Sequence, residues 1–150
     1  EPIATVYVQA DGARLPAPML GLREGADEPA QYVFDLGRLR DDDPGGRHAG
    51  LLALVTSGAA PWLARGTDDL TQAACAQLRR QLRWDGPLRV LRTLVDKRAT
   101  FRCTPGLLRP DGRVADRLLA AGDHVEGPYP ATLEGAVLSG EAAAHRLAHP

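Results

Sequence analysis

Residues 118–144 constrain this chain more than any other stretch. They read Leu-Leu-Ala-Ala-Gly-Asp-His-Val-Glu-Gly-Pro-Tyr-Pro-Ala-Thr-Leu-Glu-Gly-Ala-Val-Leu-Ser-Gly-Glu-Ala-Ala-Ala. Four apolar residues, 118–121, lead into Gly122-Asp123 and predict a short strand with an acid at its carboxyl end. Proline and glycine crowd residues 125–130, which forces a loop. A helix is expected from about Ala131 to Leu147. Its start presents unpaired N–H groups and partial positive charge, suited to a phosphate or an electron-rich ring edge. Ala131, Gly135, Ser139 and Ala143 fall four apart and form a stripe of small side chains. Such a stripe admits close approach, either by a ligand or by another helix or strand. Asp123 stands where α/β sheets commonly place ligand-binding groups, and it equally fits a turn- or helix-capping acid.

The first hundred residues read as strands joined by turns. Residues 3–10 alternate around Val6, Tyr7 and Val8 and meet the turn pair Asp11-Gly12. Residues 19–22 and 31–36 are two further short strands, separated by a loop at 25–29. The most polar stretch, 38–48, contains Asp41-Asp42-Asp43-Pro44-Gly45-Gly46. It lacks the alternate-carboxylate spacing of a calcium loop, so an exposed hairpin tip is expected. Residues 50–57 form an apolar run that suggests a strand buried on both faces, broken by Pro61-Trp62. Thr67 followed by Asp68-Asp69 reads as a hydroxyl cap with acids at a helix start. That helix is expected to reach about Arg83, with Leu70, Ala74, Leu78 and Leu82 along one face. Arg79, Arg80 and Arg83 near its end are either a phosphate-binding cluster or a solvated helix terminus. Asp85-Gly86-Pro87 stops it, and residues 88–95 resume as a strand.

Composition excludes several classes. The chain has 18 basic and 19 acidic residues, so no basic nucleic-acid footprint is present and no nucleic-acid partner is expected. Two cysteines do not make a disulfide framework. Cys75 reads as a buried helix thiol; Cys103 reads as a packing residue or a nucleophile, with no histidine at short spacing favouring the latter. The four histidines form no metal-ligand spacing with the cysteines, so no metal site is expected. No apolar run approaches the roughly 20 residues of a membrane-spanning helix.

Gly122-Asp123, followed by Pro130-Ala131-Thr132-Leu133-Glu134-Gly135-Ala136-Val137, resembles the C-terminal flavin-binding segment of the flavin amine oxidase and phytoene desaturase superfamily. Lys97-Arg98-Ala99-Thr100-Phe101 with Thr104-Pro105 is most similar to its squalene-associated branch, the hydroxysqualene dehydroxylases. Pro2-Ile3-Ala4-Thr5-Val6-Tyr7, Leu15-Pro16-Ala17-Pro18-Met19 and Val33-Phe34-Asp35 fit the same branch. The resemblance covers almost the whole chain and is most specific in its last thirty residues.

The resemblance implies FAD as cofactor and a small apolar, isoprenoid-type substrate. Asp123 would accept hydrogen bonds from hydroxyls of the FAD ribityl and pyrophosphate region, with Gly122 permitting close backbone approach. The N–H groups of the Ala131-Thr132-Leu133 turn would face the N1/C2-carbonyl edge of the isoalloxazine. Amine oxidases of the superfamily carry an aromatic residue just before the Leu133 position; Thr132 stands there, which argues against amine oxidation. The squalene-associated relatives often carry Trp-Thr-Asp-Thr-Gly after Gly-Asp, where this chain has His124-Val125-Glu126-Gly127-Pro128. His124 is either an acid for a leaving hydroxyl or a plain loop side chain. No other residue is assigned a catalytic role.

No Gly-x-Gly-x-x-Gly follows a strand anywhere in the sequence, and that motif grips the ADP half of FAD in dinucleotide-binding folds. The expected fold class is α+β. A mainly antiparallel substrate-domain sheet with one packed helix (about 1–102) would be followed by a strand–helix (about 103–150) that completes a FAD-binding α/β domain. The expected partner is the N-terminal, dinucleotide-binding part of the same polypeptide. A cytoplasmic location is expected, and an apolar lipid substrate suits peripheral membrane association. Two other readings stand beside this one: a stand-alone binding or structural module that keeps the half-fold, and a different reaction of the superfamily, such as desaturation or amine oxidation.

Overall fold

Period-two burial builds the largest element of the computed structural model, which describes residues 1–40 and 46–149. In β1 (Ile3–Gln9), Ala4, Val6 and Val8 are fully buried while their neighbours are half-buried. Antiparallel pairing sets Val6 opposite Leu54 and Val8 opposite Leu52 of β4 (Leu51–Ser57), and Val33 of β3 (Tyr32–Asp35) opposite Leu54. With β2 (Met19–Gly21) and β5 (Arg89–Asp96) the sheet has five strands in the order β2-β3-β4-β1-β5, every neighbouring pair antiparallel. The apolar run at 50–57 lies at the centre of this sheet, with Leu52, Ala53 and Leu54 buried in succession. The strands expected at 3–10, 19–22 and 31–36 and the turn at Asp11-Gly12 are therefore found within one or two residues.

One face of the sheet is closed by α3 (Thr67–Leu82), whose Leu70, Ala74 and Leu78 join Val6, Val8, Val33, Leu52 and Leu54 in one core. Burying these side chains supplies the main driving force, about 25 cal/mol per Å² of apolar surface. The other face presents Met19, Phe34, Ala53 and Tyr7 in a single cross-strand row. The short helix α2 (Ala60–Arg65) opens with Pro61 in its first turn, where a missing N–H is harmless. It also corrects one expectation. Gly66, not Thr67, is the cap of α3, with no side-chain cap hydrogen bond. Because α2 fills the residues just before, Gly66 (φ 118°) makes the joint and Thr67 is already helical. The acids Asp68 and Asp69 do occupy the first turn.

Asp35, within a motif that fits the squalene-associated branch, has a local task. Its buried carboxylate caps α1 (Leu36–Leu39) through the Arg38 N–H at 3.1 Å and accepts the Leu15 N–H at 3.0 Å. The hairpin tip expected at residues 41–46 lies, but for Gly46, outside the described residues.

The chain divides into two compact units, Glu1–Ala99 and Thr100–Pro150. The second holds the two-stranded ribbon of β6 (Arg113–Ala115) and β7 (Leu118–Leu119) and the helix α4 (Leu133–Ala148). Strand β7 is half the expected length, and just past it the Ala120 N–H still donates to Gly112 O at 2.7 Å, in register with the ribbon. The fold is α+β, with a mainly antiparallel five-stranded sheet and four helices among the described residues.

Candidate functional site

The start of α4 is set by two residues with opposite backbone demands. Ala131 adopts a left-handed conformation (φ 57°), which costs a non-glycine residue about 1 kcal/mol and ends any helix there. Thr132 is extended and caps the helix, its hydroxyl accepting the Gly135 N–H at 3.0 Å and donating to Tyr129 O at 2.8 Å. The helix therefore begins at Leu133, two residues after the expected position. No described residue accepts from the N–H groups of Leu133 or Glu134, and the Leu133 side chain is 88% exposed. Two unpartnered donors thus stand at the positive end of the helix.

Gly122-Asp123 is fastened to this helix at two points. The Ala131 N–H donates to Asp123 O at 3.4 Å. Ser139 Oγ accepts the Gly122 N–H at 2.8 Å and lies 3.1 Å from Gly122 O. The Asp123 carboxylate remains part-exposed, with His124 Nδ1 3.9 Å away, so it is open to hydroxyl donors. His124 folds back over Gly122, at whose α-carbon (φ 155°) a side chain would collide with the imidazole ring. His124 is thus placed beside Asp123 as an exposed loop side chain; no contact identifies it as an acid.

The stripe of small residues faces the 122–130 loop at its start and, across a cavity, Leu119 of β7 further along. A Cβ at Gly135 would overlap the Tyr129 carbonyl oxygen, so only glycine lets the first turn of α4 sit on the loop. Further along, Ser139 and Ala143 line a cavity of about 240 Å³ together with Val125, Glu126 and Arg146. The stripe thus holds the 122–130 loop at one end and borders a cavity at the other.

Other candidates resolve differently. Arg79 donates to Gly86 O at 2.9 Å, and Arg80 reaches Glu28 and Asp27 O, so these two tie down loops. Cys103 is exposed, its nearest polar contact being Phe101 O at 4.0 Å, which removes the packing role its sequence favoured. Cys75 is half-buried in α3; burial pushes its thiol pKa up, and the Arg79 charge partly offsets this. Among the described residues no group of three or more histidine, cysteine or acidic side chains is placed to hold a metal ion.

Two residues escaped the sequence reading. Gln77 is fully buried, accepting the Ala30 N–H at 2.8 Å and donating to Ala30 O and Arg23 O. Arg109 donates to Val125 O at 2.7 Å and to Gly127 O. The available signal was indirect: Pro128 and Pro130 deprive the loop of N–H donors, so donors must come from elsewhere.

Gly122-Asp123 lies three residues past the end of β7, in a turn and not at a strand end as expected, and is joined by backbone hydrogen bonding to an open helix start, an arrangement suited to an electron-rich ligand bearing hydroxyls. The family model for flavin containing amine oxidoreductase matches residues 2–148, and the chain belongs to that family. No curated protein matches it. Membership implies a flavin cofactor such as FAD. The residues present fit that group. The Asp123 carboxylate suits ribityl hydroxyls, and the free N–H groups of Leu133 and Glu134 suit a ring edge that gains negative charge on reduction.

Proposed function

We propose that the chain is the C-terminal part of a FAD-dependent oxidoreductase acting on an apolar, isoprenoid-type substrate by hydroxysqualene dehydroxylase- or desaturase-like hydride transfer. The observation that carries the reading is the pairing of Asp123 with the uncapped N–H groups of Leu133 and Glu134 through the Asp123–Ala131 hydrogen bond. In this proposal residues 1–102 contribute to the substrate domain, residues 103–150 complete the FAD domain, and an N-terminal dinucleotide-binding part supplies the missing phosphate grip. The flavin, when bound, supplies hydride acceptance and donation. The protein's share is orientation and electrostatics: Asp123 anchors hydroxyls, and the free N–H groups of Leu133 and Glu134 aim preorganised dipoles at the ring edge. The Ala131 N–H is spent on Asp123 O, so Ala131 and Thr132 hold the turn that presents those donors, and Gly122 leaves room for the His124 ring.

Two observations favour an apolar substrate over an amine. Thr132 takes the place of the aromatic side chain that amine oxidases use beside the substrate. The row Met19, Phe34, Ala53 and Tyr7, which ends at the cationic Arg92 of β5, offers apolar and aromatic surface and no counter-charge for an ammonium group. A cytoplasmic enzyme working on such a substrate would meet it at a membrane surface. No helix of the described residues is long and apolar enough to cross one.

The test is anaerobic and spectroscopic. In the full-length protein, hydroxysqualene should reoxidise a pre-reduced flavin, and a primary amine should leave the oxidised flavin band unchanged. Bleaching by the amine, with no response to hydroxysqualene, would overturn the substrate assignment.

A further inference from the structure

We propose that Arg109 is a positioning residue for the flavin, acting through the loop that carries Asp123 to the start of α4; the inference rests on the cofactor reading just given. Residues 125–130 include Pro128 and Pro130, which have no N–H, so the loop is poor in donors and cannot close on itself. Arg109 supplies what is missing. One guanidinium nitrogen donates to Val125 O at 2.7 Å, and the other donates to Gly127 O. Between them the Glu126 N–H donates to Pro110 O at 2.9 Å, so residues 109–110 grip three consecutive residues of the loop.

The grip is transmitted in both directions. Val125 is the one buried apolar residue of the second unit among the described residues, and its N–H closes a turn onto Gly122 O at 3.4 Å. From Gly122 the chain passes to Asp123, whose carbonyl holds the Ala131 N–H. At the far end of the loop, Tyr129 O is taken by the Thr132 hydroxyl and pressed against Gly135. Arg109 thus fixes the middle of a loop whose two ends are the carboxylate and the helix start. A planar fork that is charged at every working pH can bridge two carbonyls at once; an ammonium on a flexible stem cannot.

The test uses the full-length protein as wild type, Arg109→Ala and Arg109→Lys, titrated with FAD. Binding is read by flavin fluorescence and the setting of the ring by visible circular dichroism, with melting curves to check folding. Arg109→Ala should raise the FAD dissociation constant at least about tenfold and alter the visible dichroism. Guanidinium ion at millimolar concentration should restore part of the affinity, and sodium chloride at equal ionic strength should not. Arg109→Lys, which reaches one carbonyl, should fall between; if Arg109→Ala does not fold, this variant carries the test. Wild-type affinity and dichroism in a folded variant would overturn the role of Arg109 while leaving the cofactor reading intact. A wild-type protein that takes up no FAD would overturn both.

Discussion

The Ala131 N–H donates to the Asp123 carbonyl oxygen at 3.4 Å, although a loop with two prolines separates the residues. The acid that ends one motif and the residue that opens the other are therefore held as neighbours by the backbone itself. Preorganisation of this kind lowers the ordering cost of binding.

Ser139 is the second fastening, and its loss should be felt locally. Ser139→Ala removes the acceptor of the Gly122 N–H, a bond worth about 0.5–1.5 kcal/mol. Amide exchange at Gly122 should quicken while exchange in β1 and β4 stays unchanged. Equal protection at Gly122 in both proteins would contradict the fastening.

Gly135→Ala should run against ordinary helix propensity. In a helix interior this change usually stabilises by about 1 kcal/mol. Here the new methyl meets the Tyr129 carbonyl oxygen, so thermal unfolding should show a destabilisation of about 1–3 kcal/mol and flavin retention should weaken. A higher melting temperature would show that the helix start is not pressed on the loop.

Within the core of the first unit, two buried polar residues should respond with opposite signs. Gln77→Leu strands the Ala30 N–H and should cost about 1–3 kcal/mol in urea unfolding. Thr56 Oγ1 is buried with no hydrogen-bond partner, so Thr56→Val should be neutral or stabilising by up to about 1 kcal/mol. Losses of similar size at both positions would refute the distinction.

The thiols should separate by pH. Cys75 is half-buried and its pKa is raised by burial, whereas Cys103 is exposed. Alkylation at neutral pH should modify Cys103 first, with Cys75 reacting only as pH rises past the ordinary thiol range. Because the folded thiol holds its proton more tightly, the stability it contributes is complete below the unfolded pKa. That contribution is lost as pH rises through the folded one. Faster labelling of Cys75 would contradict its placement.

The strands were legible in the sequence because burial imposes pattern: Ala4, Val6 and Val8 stand out by alternation, and Leu52 and Leu54 by lying within a continuous apolar run. The Gly122-Asp123 pair and the region around Thr132 were legible as motifs because each needs a particular small or polar residue: Gly122 leaves room for the His124 ring, and the Thr132 hydroxyl caps α4. Arg109 and Gln77 were not. Their roles depend on which backbone carbonyls come within reach after folding, and sequence spacing carries no trace of a partner 16 or 47 residues away. The exact start of α4 was hidden as well, because nothing in an alanine signals a left-handed backbone.

The most direct test of the account is FAD retention by the full-length protein with Asp123→Ala. The carboxylate's charge-assisted hydrogen bonds, each worth about 1.5–3 kcal/mol, imply a dissociation constant raised roughly ten- to a hundredfold. After extensive dialysis the wild type should keep its flavin absorbance and the variant should lose most of it. Unchanged flavin occupancy in the folded variant would contradict the assignment of this site to the cofactor.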